Sequence, residues 1–149
     1  MNQLIGKNQI LKNYYLNKMN PGLTVATLSS SYTTRITVRT HELYADEPIA
    51  LQGNDTAPSP MELLCGALAS CTAITLKMYF RLKNIQTDQI TVVVAIEDDE
   101  KGQKKFVRSV EVLSSELTDS LKAKILDIAN KCPVHKMLEQ NTIVTSILE

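Results

Sequence analysis

Five residues of this 149-residue chain have side chains suited to nucleophilic, redox or metal chemistry near neutral pH: Cys65, Cys71, Cys132, His41 and His135. A thiol reacts or binds metal as its thiolate, so the first question is what would deprotonate it. Cys71 lies inside a long apolar run, and Cys132 stands before Pro133 at what reads as the C-terminal end of a helix. Neither position is the N-terminus of a helix, where the dipole would lower a thiol pKa, so a reactive cysteine needs a neighbouring cation. Arg35, Arg39, Arg81, Arg108, His41 and His135 are the candidates. The plain alternative is that all three cysteines fill space, since free cysteine is among the most buried residue types.

Two further chemistries can be weighed on spacing. Zinc bound by Cys71, Cys132, His41 and His135 would have suitably soft ligands, but only Cys132 and His135 are near enough in sequence to form a short chelating pair. A cysteine acyl-transfer site would use His135 or His41 as base, oriented by a carboxylate such as Asp46, Glu47 or Asp127, and spacing selects none of these. The histidines are equally well explained as polar residues hydrogen-bonded to backbone. Cys65 and Cys71 are separated by about 120° around a helix, which places Cys65 in the core rather than in a shared pocket.

The element that must carry Cys71 is residues 60–82, PMELLCGALASCTAITLKMYFRL. At helical spacing Leu64, Leu68, Cys71, Thr75, Met78 and Leu82 form one stripe, and Leu63, Ala67, Ile74 and Phe80 widen it. Such a helix does not belong on a surface. Glu62, Ser70, Thr72, Thr75 and Lys77 interrupt it too often for a lipid span, so it is expected in a globular interior or a subunit interface. Ser59, Pro60 and Glu62 stand where a cap, a first helical residue and a capping-box partner would be, which gives Glu62 a structural role before any catalytic one.

Around this helix the pattern is that of an α+β chain. Residues 1–22 close on Asn20-Pro21-Gly22 and suggest a short weak helix or strand. From Leu23 to Tyr44 a period of two sets Tyr32, Thr34, Ile36 and Val38 against Thr33, Arg35, Thr37 and Arg39, the mark of a sheet with one wet face. His41–Ala45 continues that sheet after a tight turn, and the Pro-rich residues 46–60 form a loop leading to the helix. Ile90–Ile96 and Lys104–Leu113 read as an antiparallel pair joined at Gly102, with Phe106, Arg108, Val110 and Val112 sharing one face. Thr118 caps a second helix running to about Lys131 on the face Leu121, Ile125, Ile128 and Cys132, and Thr142–Leu148 reads as a last strand.

Composition narrows the function classes. Sixteen basic and sixteen acidic residues cancel, without the basic surface that nucleic acid or an anionic membrane would require. Residues 1–20 lack the unbroken apolar core of a signal peptide, so a cytoplasmic location is expected. No glycine-rich phosphate loop follows a strand, and 149 residues suit a single domain, 1–149, with 1–22 weakly assigned.

Two stretches, APSPMELLCGALASCTAITLKMYF and LDIANKCPVHKMLE, closely resemble the OsmC/Ohr family of small thiol-dependent peroxide-handling proteins, and RTHELYADEP upstream is similar to one of its branches. The resemblance implies an intertwined homodimer in which curved antiparallel sheets wrap two long central helices. It also implies that Cys71 is the peroxidatic cysteine and Cys132 the resolving one. Organic hydroperoxides would be the substrates and a dithiol such as a dihydrolipoyl protein the reductant, with no cofactor or metal. Two departures stand out. The family's peroxide-reducing branch opens the central helix with Asn-Pro-Glu-Gln, whereas here Met61 follows Pro60 and the carboxylate comes at Glu62, about 180° around an ideal helix from Cys71. The Gly-Gly-Arg-Asp-Gly loop that supplies that branch's arginine is missing, which leaves Arg39, with Arg35 second, as the substitute. These departures keep a second expectation open, a non-enzymatic dimer that binds an apolar small molecule or lipid or senses oxidation.

Overall fold

Residues 24–45 alternate polar and apolar side chains, and that pattern folds as an antiparallel meander. Strands β1 (Thr24–Thr27), β2 (Thr34–Val38) and β3 (His41–Ala45) lie in the order β1-β2-β3 in the computed structural model, which describes residues 23–140. The segments expected at 1–22 and 142–148 lie outside the described residues. Thr34 pairs with Ala45 and Val38 with His41, which leaves Arg39 and Thr40 as a two-residue turn with Arg39 at φ 56°.

The loop after β3 is tied to one carboxylate. Asp46, 1% exposed, accepts hydrogen bonds from the Thr56 hydroxyl (2.7 Å), the Glu47 N–H (2.9 Å), the Thr56 N–H (3.2 Å) and the Thr33 hydroxyl (3.2 Å). The Thr56 hydroxyl does most to hold the acid down at about 2, against the opposing effect of burial. The chain doubles back tightly here. A Cβ on Gly53 would stand 1.8 Å from the Glu47 carbonyl oxygen, so only glycine fits.

By its contacts the chain forms two compact units, one ending at Pro60 and one beginning at Met61. The second is dominated by α1 (Pro60–Leu82), which starts at the expected proline and is about 35 Å long. Its C-terminus closes in a left-handed cap. Asn84 has φ 54°, its N–H bonds the Arg81 carbonyl (3.1 Å), and the Ile85 N–H reaches the Phe80 carbonyl (2.9 Å). Strands β4 (Gln89–Asp98) and β5 (Lys104–Leu113) follow as an antiparallel hairpin with Val92 opposite Val110, turning at Gly102 (φ 73°).

Helix α2 (Asp119–Ala129) begins at Thr118, whose hydroxyl accepts the Leu121 N–H at 3.2 Å. Its buried face of Leu121, Ile125, Ile128 and Ala129 packs with Leu76, Phe80 and Val112 into the core of this unit. The helix expected to reach Lys131 ends at Ala129. A separate helix, α3 (Pro133–Glu139), starts at the proline. Pro133 implies an end or a bend of the helix near Cys132, and its fixed φ and missing N–H suit the first position of a new helix equally well.

The face of α1 that is buried also differs from the expected stripe. Leu68, Thr72, Leu76 and Phe80 are inside, whereas Met78 is 66% and Leu82 78% exposed. A helix apolar on nearly every side offers several stripes, and the packing of β5 and α2 decides which one is covered. By length and composition α1 could cross a bilayer, yet Leu76 and Phe80 belong to this core. The architecture is mixed α+β, with antiparallel sheets and one long helix.

Candidate functional site

Cys71, half-buried near the middle of α1, and Cys132, fully buried just before α3, are close enough for their thiols to shift each other's ionisation. The break between α2 and α3 makes this contact possible. Cys132 is the N-cap residue of α3, not the end of α2 as its sequence context suggested. Its sulfur does not close a capping bond, yet the backbone N–H groups of His135 and Val134 favour its anion.

The two sulfurs are pushed in opposite directions. Burial raises the Cys71 thiol, and donating its S–H to Cys132 raises it further, against smaller lowering effects from the Val134 N–H and Thr75. Burial also acts to raise Cys132, but the bond from Cys71, the His135 N–H, the Thr72 hydroxyl and the Val134 N–H together bring it below the ordinary value. The donors gathered at Cys132 thus favour the first ionisation of the pair on its side.

A guanidinium stands behind this pair. On β5, Arg108 donates from Nη1 to the Thr72 hydroxyl (3.0 Å) and the Ala129 carbonyl (3.4 Å), and from Nη2 to Asn130 Oδ1 (2.7 Å). Thr72 follows Cys71, and Asn130 precedes Cys132 by two residues. Arg108 was one of six candidate cations, and Arg39 was preferred to it on motif grounds. The overlooked signal was an arginine on the same strand face as Phe106, Val110 and Val112, where a charge requires partners. Thr72, Asn130 and the Val134 N–H were not foreseen, because a threonine in an apolar helix and a backbone amide carry no sequence signature.

The other expected residues have distinct settings. Arg39 lies in the β2–β3 turn of the first unit, and Arg35 pairs with Glu42 at 3.4 Å. His41 begins β3, while the His135 imidazole bonds Glu139 at 3.0 Å. Glu62, in the first turn of α1, borders an apolar groove of about 600 Å³ together with Met61, Cys65, Gly66 and Ala69, facing Val92–Ile96 of β4. Cys65 thus faces this groove, apart from the thiol pair. Among the described residues no three of His, Cys, Asp and Glu gather as a metal site would require.

A family model described as OsmC-like protein matches residues 53–147. No curated protein matches the chain. Among solved structures, an OsmC-like protein from Mycoplasma pneumoniae shares 17% identity at a TM-score of 0.68, covering 83% of this chain and 90% of that one. A protein from Psychrobacter arcticus 273-4, proposed to be osmotic-stress-induced and to act in a detoxification response, shares 24% identity at a TM-score of 0.65, covering 82% and 90%. The organic hydroperoxide resistance protein OhrB of Bacillus subtilis shares 22% at a TM-score of 0.55, covering 80% and 92%. At these identities the structures speak for the fold, and the family model spans most of the chain, with Cys65, Cys71 and Cys132 included. The chain belongs to the OsmC-like protein family.

Proposed function

We propose that this protein reduces organic hydroperoxides through the Cys71–Cys132 pair, as a cytoplasmic homodimer with a single OsmC-like domain in each chain. The observation that supports the reading is the closeness of the two thiols, which shift each other's ionisation as a nucleophile and a resolving partner would. Cys132, the more acidic thiol, is the base. Its thiolate takes the Cys71 proton as Cys71 attacks the terminal oxygen of the hydroperoxide. The O–O bond breaks, the departing alkoxide takes that proton back from Cys132 and leaves as the alcohol, and Cys71 becomes a sulfenic acid while Cys132 is again a thiolate. Cys132 then attacks that sulfur, water departs and a disulfide forms. A dithiol such as a dihydrolipoyl protein takes up the oxidising equivalents and restores both thiols.

Stopped-flow mixing with cumene hydroperoxide tests the assignment. Cys71→Ser should slow peroxide consumption by at least ~100-fold, and Cys132→Ser, which loses both base and resolving thiol, should oxidise more slowly and leave the sulfenic acid it forms for a dimedone probe to trap. Consumption by Cys71→Ser at the wild-type rate would refute the reading. Arg39 and Glu62 are proposed for the cation and carboxylate roles implied by the family. Arg39→Ala and Glu62→Gln should then slow oxidation without altering the thermal midpoint.

A second reading draws on the apolar groove between α1 and β4, which has room for a hydrocarbon chain and a carboxylate at its edge. In that reading the dimer holds an apolar ligand and its thiols report oxidation without turnover. Native mass spectrometry of protein purified without additives should then reveal a stoichiometric ligand that hydroperoxide does not consume.

A further inference from the structure

We propose that Arg108, acting through Thr72, is a positioning residue for the thiol pair: it holds the two cysteine-bearing segments together and turns the Thr72 hydroxyl into a donor toward Cys132. The inference rests on the reading of Cys71 and Cys132 as the redox pair. Its geometric basis is the three-way grip of one guanidinium. Nη1 meets Thr72 on α1 and the Ala129 carbonyl at the end of α2, and Nη2 meets Asn130 at the α2 cap. Cys71 is one residue from the first of these contacts and Cys132 two residues beyond the last. A single strand residue therefore sets the register of α1 against the segment leading into α3.

Proton counting gives the grip its chemical consequence. The Thr72 hydroxyl has one hydrogen, and with Arg108 donating to its oxygen that hydrogen must point elsewhere. In the structure it goes to the Leu68 carbonyl, 2.7 Å away, and the Cys132 sulfur, whose ionisation Thr72 favours, is the alternative acceptor. The Leu68 carbonyl is a helical acceptor that the backbone can satisfy without Thr72, so the hydroxyl is free to turn to sulfur when a thiolate forms. The positive charge behind it polarises the O–H and strengthens that bond to an anion. Thr72 is fully buried, so water does not replace it.

Among the described residues, the groups acting on Cys132 are the Cys71 thiol and Thr72 hydroxyl of α1 and the Val134 and His135 amides of α3, with Arg108 of β5 connected by way of Thr72. The remaining titratable side chain nearby, the His135 imidazole, is engaged with Glu139. Arg108 and Thr72 are therefore the elements of the site that link a fixed positive charge to the thiolate.

The test is a pH titration of thiolate ultraviolet absorbance on the reduced full-length protein, in a Cys65→Ala background so that only the pair titrates. Thr72→Val, which removes only the hydroxyl, should move the first deprotonation up by about one pH unit, a roughly tenfold smaller thiolate fraction below the midpoint. Thr72→Ser should restore it. Arg108→Met should match Thr72→Val, with Arg108→Lys between Arg108→Met and wild type, since an ammonium keeps the charge but not the fork. An unchanged first deprotonation in folded Thr72→Val overturns the proposal. If Arg108→Met does not fold, Thr72→Val against Thr72→Ser decides alone. The titration uses no peroxide, so wild type that titrates as expected but leaves hydroperoxide untouched would refute the peroxidase reading while upholding this one.

Discussion

Asp46 and Cys132 are both buried acids surrounded by donors, and the two sites put that burial to opposite uses. Around Asp46 the donors are Thr56, Glu47 and Thr33, all within 13 residues, and they converge on one carboxylate whose pKa is brought to about 2. Nothing is left to exchange, so the group serves as a knot in the loop. Around Cys132 the donors come from α1 and α3, and one of them is itself an acid, Cys71. The two thiols shift each other's ionisation in opposite directions, so the site keeps a proton that can be exchanged. A closed network stabilises, whereas a network with one movable proton can react.

This contrast can be broken most sharply by exchanging the readouts. Cys71→Ser should remove at least ~100-fold of the hydroperoxide-consuming rate while leaving the thermal midpoint within a few degrees, because serine keeps a hydrogen bond in the same place. Gly53→Ala should do the reverse. The new methyl group collides with the Glu47 backbone, and the loop must reopen at a cost of about 1–3 kcal/mol measured by urea unfolding. An unaltered unfolding midpoint would mean that the Asp46 loop is not the tight knot described here.

A pH series sharpens the comparison further. The folded Asp46 carboxyl titrates near 2, below its ordinary 3.8, so its stabilising effect is complete above about pH 4 and is lost as pH falls through about 2. Asp46→Asn should flatten the acid limb of the stability profile over that interval. The thiol pair should respond in a different range. The rate of oxidation by hydroperoxide should rise with pH along a curve whose midpoint lies below that of free cysteine, since Cys132 is the thiol that ionises first. The smallest effect belongs to Thr118→Ala, which deletes the α2 cap and should cost about 1 kcal/mol in the same urea experiment without altering the titration of the pair.

Much of the fold could be read in advance. The β5 limits, the Thr118 cap, the start of α1 at Pro60 and the buried face of α2 follow from period and capping chemistry, which are local. The misreadings have one physical origin. Pro133 ends one helix and begins another, and a proline permits either, so the break that places Cys132 beside Cys71 was invisible in the local pattern. The buried stripe of α1 was misjudged because a helix apolar all round does not state which side its neighbours will cover.

The contacts of Arg108 were hidden in the same way. Arg108 announced itself only as a charge on an apolar strand face, and its partners Thr72, Ala129 and Asn130 lie 21 to 36 residues away. Residue type and local spacing were enough to specify most segments as helix, strand or loop, because those properties depend on neighbours a few positions apart, whereas the roles of Cys71 and Cys132 came only from the family resemblance. Which sulfur ionises first, and which guanidinium supports it, depends on donors brought from separate elements into a buried space, and only the folded chain makes that choice.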